Sequence, residues 1–232
     1  MATMILARHG RSTANTSGVL AGRQRGIGLD EHGHAQVRAA AERIRGIPLA
    51  LAVSSPLQRC LQTTSGLLEG HPEAPRVQRD RGLLECDYGE WQGERISSLA
   101  RRRLWRTVQE QPSAVVFPGG ESLAAMQARS VAAVRRHDAE VEAEHGPDAV
   151  WLAVTHGDII KSILADALGM HLDLFQRLHV DPASLSVVTY TPSRPFVLCS
   201  NTHEGDLSWL RRPAGRRSRR SDAAVGGGSG PA

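Results

Sequence analysis

The chain has 232 residues, of which 41% are hydrophobic and 22% charged, a balance that fits one large globular domain and leaves too little length for two full ones. Its net charge of +4 comes from residues 211–232, where six arginines accompany one acid, whereas residues 1–210 carry 22 basic and 23 acidic side chains. A uniformly basic surface for nucleic acid is therefore excluded, and no apolar run is long enough to cross a bilayer.

The first half of the chain predicts two strand and helix pairs. Residues 4–7 and 49–53 are short apolar runs that read as buried strands. Apolar residues recur at helical spacing over 37–44 after the first strand and over 57–68 after the second. Pro56 suits the first turn of the second helix, because proline is tolerated where the backbone amide has no helical partner.

The middle of the chain lacks this alternation of apolar strands and helices. Residues 71–96 are rich in proline, glycine and charge, with a short strand near Val77. Residues 97–120 predict a polar helix, interrupted at Pro112 and ended by a Pro118-Gly119-Gly120 turn. We therefore interpret residues 85–122 as a lid or insertion.

The second half of the chain again predicts alternating helices and strands. A long helix is predicted over residues 121–144, a third buried strand over 150–154, and a helix after Asp158. Residues 185–190 and 196–199 flank a proline-containing turn and predict a β-hairpin. The last predicted element of the domain is therefore a β-hairpin, whereas the earlier strands are each followed by a helix.

Alternating strands and helices predict a three-layer α/β/α fold with a mainly parallel central sheet. We assign residues 1–210 to this domain and expect residues 211–232, rich in Arg, Gly and Ser, to be a disordered tail. Ligands bind beyond the carboxyl ends of the strands in such sheets. Three predicted strands end in polar groups, and these are Arg8-His9-Gly10, Ser54-Ser55 and Thr155-His156-Gly157. We expect these groups to converge on one site.

Three cysteines, Cys60, Cys86 and Cys199, form a sparse set without the spacing of metal ligands, which favours a reducing compartment. The first apolar run reaches Arg8 before the hydrophobic region of a signal peptide could form. We therefore expect a cytoplasmic protein.

The side chains at the strand ends suit attack on a phosphate monoester. A neutral imidazole is a competent nucleophile, and His9 is the best placed. Arg8 and Arg59 offer planar forks that match phosphate oxygens, and His156 precedes a helix N-terminus, where anions are favoured. Each residue alone is more often structural, but two histidines followed by Gly10 and Gly157 at strand ends favour a functional site.

These residues also carry a resemblance to a known family. The sequence Arg8-His9-Gly10-Arg11-Ser12-Thr13-Ala14-Asn15 resembles the signature of the histidine phosphatase superfamily, also called phosphoglycerate-mutase-like proteins. Three further blocks, at residues 54–63, 84–93 and 154–158, are similar to the family's later motifs and occur in the same order. The Pro118-Gly119-Gly120-Glu121-Ser122 loop resembles that of the phosphatase branch. The resemblance covers residues 4 to about 200 and implies a phosphoglycerate-mutase-like fold.

The resemblance implies a role for each matched residue. It implies that His9 becomes phosphorylated and that Glu85 is first the general acid and then the base that activates water. It also implies that Arg8, Arg59 and His156 form the phosphate pocket, with Ser12 and Asn15 near it. Gly22 and Arg23 occupy the region that often contacts substrate in the family, and we expect Gly157 and Glu85 to contact substrate as well. A carboxyl beside a phosphate dianion is pushed toward its protonated form, as an acid requires. Because a nucleophile, cations and an acid are all present, we expect no metal or other cofactor.

Arg11 departs from the pattern, because the family commonly has an acid at this position. The arginine would either shift preference toward a more anionic substrate or be an exposed residue in an arginine-rich chain. Both interpretations stay open at the level of sequence.

Three functions compete. The first is a phosphatase of a sugar phosphate, phosphoglycerate derivative or similar small phosphorylated metabolite. The second is a phosphoglycerate-type mutase, which the short segment between Glu85 and Pro118 disfavours because it lacks a longer basic insert. The third is a non-catalytic protein that binds anions or nucleic acid through its tail. We favour the phosphatase, with no membrane or nucleic-acid partner and a homodimer as the default assembly.

Overall fold

The computed structural model describes residues 2–205, 207, 210 and 211, and the tail predicted beyond Arg211 lies outside this part of the chain. Six strands form one sheet in the order β3-β2-β4-β1-β5-β6. They are β1 Thr3–Arg8, β2 Leu49–Ser54, β3 Val77–Arg79, β4 Val150–Thr155, β5 Leu185–Tyr190 and β6 Pro195–Thr202. The first four strands are parallel, whereas β5 and β6 form an antiparallel hairpin beside β1. The predicted mainly parallel sheet is confirmed.

Helices cover both faces of the sheet. They are α1 Thr13–Ser17, α2 Glu31–Ile44, α3 Gln58–Leu68, α4 Ile96–Leu99, α5 Arg103–Glu110, α6 Leu123–His145 and α7 Gly157–Ala167. Ile5 and Ala7 of β1 pack with α2 and α3, whereas Met4 and Leu6 pack with α6 and α7. Because alternate residues of a strand point to opposite faces, a strand between two helical layers must be apolar throughout. The three-layer architecture is confirmed.

Two element boundaries differ from the predictions. Pro56 does not lie in the first turn of α3, since the helix begins at Gln58 after Leu57. The cause lies upstream, where the Ser55 amide donates to the Val154 carbonyl at 2.9 Å and prolongs the extended backbone of β2. In addition, α2 begins before its apolar repeat, because Asp30 caps it by accepting from the Gly33 amide at 2.7 Å.

The predicted single helix over residues 97–120 is wrong. Two short helices, α4 and α5, replace it, followed by a 3-10 turn at Pro112–Ala114. The break falls at Arg102, whose backbone is extended and whose side chain pairs with Glu94 and lies over the Trp91 ring. Trp105 of α5 then stacks on Trp91 at 6.2 Å, so tertiary contacts set the direction of the second helix.

Segment 85–122, which we interpret as a lid or insertion, packs into the core. Trp91, Leu99 and Phe117 are buried in the same cluster as β1 and β4, and the Leu20 amide donates to the Glu94 carbonyl at 2.9 Å. This packing places the segment beside the carboxyl ends of the strands. Within the described residues, the model contains no helix with the length and apolar character that crossing a membrane requires.

A candidate active site at the carboxyl ends of the strands

The three polar strand ends meet at one edge of the sheet. Arg8 at the end of β1 is in register with Thr155 at the end of β4, and Ser54 of β2 is in register with Val154. The His9 amide donates to the Thr155 carbonyl at 2.9 Å, which extends the pairing past the strand. The predicted convergence is confirmed, because adjacent parallel strands bring their carboxyl ends to the same edge.

His9 is buried, and its hydrogen bonds define its tautomer. Nδ1 lies 2.8 Å from the Gly10 carbonyl oxygen, which can only accept, so Nδ1 carries the proton. Nε2 is then the lone-pair nitrogen, and it accepts from Arg59 Nε at 3.3 Å. Burial and the nearby Arg59 and Arg8 hold the pKa of His9 well below its usual value. The side chain is therefore a neutral imidazole with a nucleophilic Nε2 at neutral pH.

The loop that carries His9 is pressed against α2. A Cβ on Gly10 would lie 2.7 Å from the Gly33 carbonyl oxygen, so a larger residue would force the loop away from the helix. The Gly10 amide also donates to Thr63 Oγ1 on α3 at 3.1 Å. The loop that carries His9 is thus fixed by contacts to both helices of this layer.

Arg59 is 2% exposed, and α3 projects it into the site from its first turn. Its Nη2 donates to the Gly22 carbonyl at 2.8 Å and to His156 Nδ1 at 3.1 Å. Arg8 Nη1 donates to the Val180 carbonyl at 2.6 Å. Each guanidinium keeps one buried nitrogen, Arg59 Nη1 and Arg8 Nε, that finds no hydrogen-bond partner among the described residues. Buried unpaired donors are costly, so this pair indicates a site for an anion.

His156 lies behind the cavity, fully buried, rather than on its wall. Since Arg59 can only donate, His156 Nδ1 accepts, and the proton sits on Nε2, which donates to Ser55 Oγ at 2.8 Å. Burial and the nearby Arg59 lower the pKa of His156 well below its usual value. Its ring is 5.3 Å from that of His9, in an edge-on arrangement.

Glu85 is buried and lines the cavity. Its Oε1 accepts from the Cys86 amide at 3.0 Å, and its Oε2 lies 4.0 Å from His156 Nδ1. Burial, together with the negative charge of Asp158, raises the pKa of Glu85 to about 7, against the opposing effect of Arg59. A substantial share of this carboxyl therefore carries a proton at neutral pH, as a general acid requires.

This pKa makes Glu85 destabilising at high pH. Between pH 4.5 and 7 the carboxyl ionises in the unfolded chain while the folded chain keeps its proton, so rising pH favours unfolding. We expect Glu85→Gln to be more stable than the natural chain by up to about 3 kcal/mol at pH 8, with a smaller gap at pH 5. Urea unfolding at both pH values measures this gap, and the exposed Glu90→Gln is the control. A gap that does not widen with pH would contradict the assignment.

These groups surround a cavity of about 280 Å³. Of the residues predicted for the site, those that line it are Arg8, His9, Ser12, Asn15, Gly22, Arg59, Glu85 and Gly157. Sequence reasoning missed the others on its wall, which are Val19, Leu20, Ala21, Tyr88, Ile96, Asp158, Lys161, His179 and Val180. Tyr88 and Asp158 belong to matched blocks and could have been found there. His179 and Ile96 carry no signal in the sequence.

Ser12 and Asn15 line the cavity and also build α1, which the sequence reasoning did not predict. The Asn15 amide donates to Ser12 Oγ at 3.3 Å, and the Ser12 amide donates to Asn15 Oδ1 at 3.0 Å. This reciprocal pair is a capping box, which fixes both side chains at the start of the helix.

Two arginines lie apart from the cavity lining. Arg23 turns instead to Glu121, with a distance of 2.8 Å from its Nη2 to Oε1. Arg11 Nε donates to Asp30 Oδ2 at 2.7 Å, beside the N-terminus of α2. This pairing supports the interpretation of Arg11 as an exposed residue of an arginine-rich chain, because its side chain is 40% exposed and its charge is paired with Asp30 away from the cavity.

The chain is similar to known proteins over the part of the sequence that forms this site. The sequence model of the histidine phosphatase superfamily (branch 1) matches residues 4–203. Phosphoserine phosphatase 1 of Hydrogenobacter thermophilus is 30% identical over 206 residues, covering 87% of this chain and 92% of that protein. A 2,3-bisphosphoglycerate-dependent phosphoglycerate mutase 2 of Gloeobacter violaceus is 33% identical over 175 residues, covering 72% of this chain and 75% of that protein.

A solved structure of mycobacterial glucosyl-3-phosphoglycerate phosphatase superposes with a TM-score of 0.76 at 25% identity, covering 86% of this chain and 99% of that one. The chain spans about half the length of three relatives from Mycobacterium tuberculosis and Mycobacterium bovis. These are 34% identical over 194 residues, which make up 81% of this chain and 50% of theirs.

Proposed function

The chain belongs to the histidine phosphatase superfamily (branch 1), and on that premise we propose that it hydrolyses a small phosphomonoester without a metal, through a phosphohistidine at His9. One observation carries the proposal. The lone-pair nitrogen of His9 accepts from the buried Arg59, and the charge of the partly buried Arg8 also lowers the pKa of His9. Each guanidinium keeps one buried nitrogen without a partner among the described residues. A phosphate dianion supplies the acceptors that these donors lack, next to a neutral nucleophile.

In the first step, Arg8 Nε and Arg59 Nη1 donate to oxygens of the bound phosphate. His9 Nε2 attacks phosphorus, and the bond from phosphorus to the ester oxygen breaks. Glu85 gives its proton to that oxygen, so the leaving group departs as a neutral alcohol. His156 completes the pocket by holding the Arg59 fork through Nδ1.

In the second step, the Glu85 carboxylate takes a proton from water, and the water oxygen attacks phosphorus. The bond to His9 Nε2 breaks, which returns a neutral imidazole because its proton stays on Nδ1 throughout. The products are inorganic phosphate and the alcohol, and Glu85 is protonated again. Each proton removed is thus returned within one turnover.

We place the substrate among phosphorylated small metabolites, either sugar phosphates or phosphoglycerate derivatives. The names of two similar proteins support this class, since they act on phosphoserine and on glucosyl-3-phosphoglycerate. In this chain the wall beside Gly157 carries Asp158 and Lys161, with Nζ 3.6 Å from Asp158 Oδ1. A polar or charged leaving group would fit this wall, and Val19, Leu20 and Ile96 add apolar side chains to the cavity lining.

A phosphoglycerate mutase is the second candidate, favoured by the relative from Gloeobacter violaceus. A mutase must keep its phosphohistidine long enough to return the phosphoryl group to a product. The segment from Glu85 to Pro118 is short and lacks a longer basic insert, which supports hydrolysis instead.

The two candidates are separated by 3-phosphoglycerate as substrate. We expect release of inorganic phosphate in excess of any 2-phosphoglycerate, at a rate unchanged by EDTA. A panel of phosphomonoesters, assayed in parallel, ranks the leaving groups, and His9→Ala protein purified in the same way controls for contaminating phosphatases. Rapid isomerisation without phosphate release would establish the mutase, and loss of activity in EDTA would refute the metal-independent reaction.

Four further expectations stay predictions from the sequence. They are a cytoplasmic location, a homodimer, the absence of a cofactor, and a division into a domain over residues 1–210 and a tail over 211–232.

A further inference from the structure

We propose that Arg23, Glu121 and Arg129, which we call the Glu85 clasp, position the backbone that carries Glu85 and so aim its carboxyl at the leaving group. The inference rests on the proposed role of Glu85 as the acid. It assigns positioning to two residues outside the matched catalytic set, Glu121 and Arg129. For Arg23 it replaces the predicted substrate contact.

Residues 84–88 belong to no helix or strand, so their carbonyl groups lack the regular partners of secondary structure. At Glu85, arginine side chains take that place. The Glu85 carbonyl accepts from Arg23 Nε at 2.9 Å and from Arg129 Nη2 at 3.1 Å, and Arg129 Nη1 donates to the Gly82 carbonyl at 2.8 Å. The planar guanidinium of Arg129 on α6 therefore donates to the backbone both just before Glu85 and at Glu85 itself.

Glu121 holds the two arginines together. Its Oε1 accepts from Arg23 Nη2 at 2.8 Å and from Arg129 Nη2 at 2.6 Å, while Oε2 accepts from Arg129 Nε at 3.0 Å. Oε1 also accepts from the Asp87 amide at 2.9 Å, two residues past the acid. Burial alone would raise the pKa of Glu121, but hydrogen bonds from Arg129 and the Asp87 amide hold it below its usual value. The clasp thus keeps one carboxylate between two cations.

The carboxyl of Glu85 depends on this backbone for its position. Its hydrogen bond at 3.0 Å comes from the amide of its own neighbour, Cys86, which moves with it. On the upstream side, Thr155 Oγ1 donates to the Leu83 carbonyl at 2.7 Å. The segment is therefore tied to the sheet at Leu83 and to the Glu121 backbone, whose amide donates to the Asp87 carbonyl at 2.9 Å. Between these two points the clasp arginines hold the Glu85 carbonyl, so loss of the clasp loosens the backbone at the acid itself.

The test uses leaving groups that differ in their need for an acid. Phenyl phosphate releases a basic phenolate that must be protonated, whereas 2,4-dinitrophenyl phosphate releases a stable anion that needs no proton. We expect Arg129→Gln to lower kcat/KM for phenyl phosphate by about 10- to 100-fold, with kcat/KM for the dinitrophenyl ester changed less than about threefold, because kcat/KM reports the transfer to His9 and not the later attack of water. The inhibition constant of inorganic phosphate should change little, because the clasp does not line the cavity.

Arg135→Gln is the matched control. It removes a cation from the same helix, in an exposed pair with Asp166 at 2.7 Å, and should leave both rates unchanged. Arg23→Gln and Glu121→Gln supply independent variants should Arg129→Gln fold poorly, as thermal unfolding would reveal. Both should show the same selective loss.

Glu85→Gln distinguishes failure of the proposed acid from failure of the proposed clasp. If it shows no selective loss on phenyl phosphate, the proposed acid is wrong. If it does, and the clasp variants slow both esters equally, the clasp is merely structural and the inference is overturned. In the Glu85→Gln background, Arg129→Gln should cause no further selective loss, since an absent acid cannot be misplaced.

Discussion

His9→Ala is expected to lower kcat by about 10⁴-fold or more, because no other side chain at the strand ends can replace a neutral nitrogen nucleophile. His156 is the nearest candidate, but it is fully buried behind the cavity and does not line it. Its ring therefore does not reach a phosphate bound in the cavity. Removal of His9 should leave phosphate binding by the two arginines largely intact.

The measurement pairs steady-state kinetics with trapping of the intermediate. Rapid quenching at alkaline pH, followed by mass spectrometry, should find one phosphoryl group on the peptide that contains His9 and none on that peptide in His9→Ala. His171→Ala, which removes an exposed imidazole, is the control and should behave as the natural chain. Full activity in His9→Ala, or a phosphoryl group on His156, would refute the mechanism.

Arg59→Lys is expected to lower kcat/KM by about 10³-fold even though it keeps a positive charge. The fork of Arg59 contacts His9 Nε2, His156 Nδ1 and the Gly22 carbonyl, and it leaves Nη1 for the ligand. An ammonium cannot reproduce that set, since its three donors radiate from one atom. Both the alignment of His9 and the anion contact are lost together.

Steady-state kinetics and the inhibition constant of inorganic phosphate measure this effect. We expect weaker inhibition by phosphate in Arg59→Lys, because one of the two unpaired donors is gone. Arg38→Lys, an exposed arginine on α2, controls for the change of residue type. A loss smaller than about tenfold would mean that charge alone suffices and that the fork geometry is unimportant.

The buried strands were predictable because their environment is uniform. Residues 150–154 are buried on both faces of the sheet, so this run is apolar without interruption and can be recognised without knowledge of its neighbours. The convergence of His9 and His156 followed from the same regularity, since parallel strands present their carboxyl ends together. For these strands, the local pattern of apolar residues was sufficient to predict where the strand ends lie in the fold.

Other features depend on contacts that the sequence does not display. The break at Arg102 depends on Trp91, eleven residues upstream, and the clasp joins Arg129 to Glu85 across 44 residues. Short-range periodicity cannot report such pairs. The α1 helix was missed for a different reason: Ser12 and Asn15 were interpreted only as ligand contacts, although they also form a capping box.

The two unpaired guanidinium nitrogens link the folding of this chain to its chemistry. A ligand that satisfies these nitrogens binds the folded chain and not the unfolded chain. It therefore raises the free energy of unfolding by RT ln(1 + [L]/Kd), which is about 2.7 kcal/mol when the ligand is present at a hundred times its dissociation constant. Phosphorylated metabolites and inorganic phosphate compete for the same donors. On the proposed function, the lifetime of the chain against proteolysis would depend on the concentration of phosphate esters around it, so the substrates of the site would also protect the folded chain.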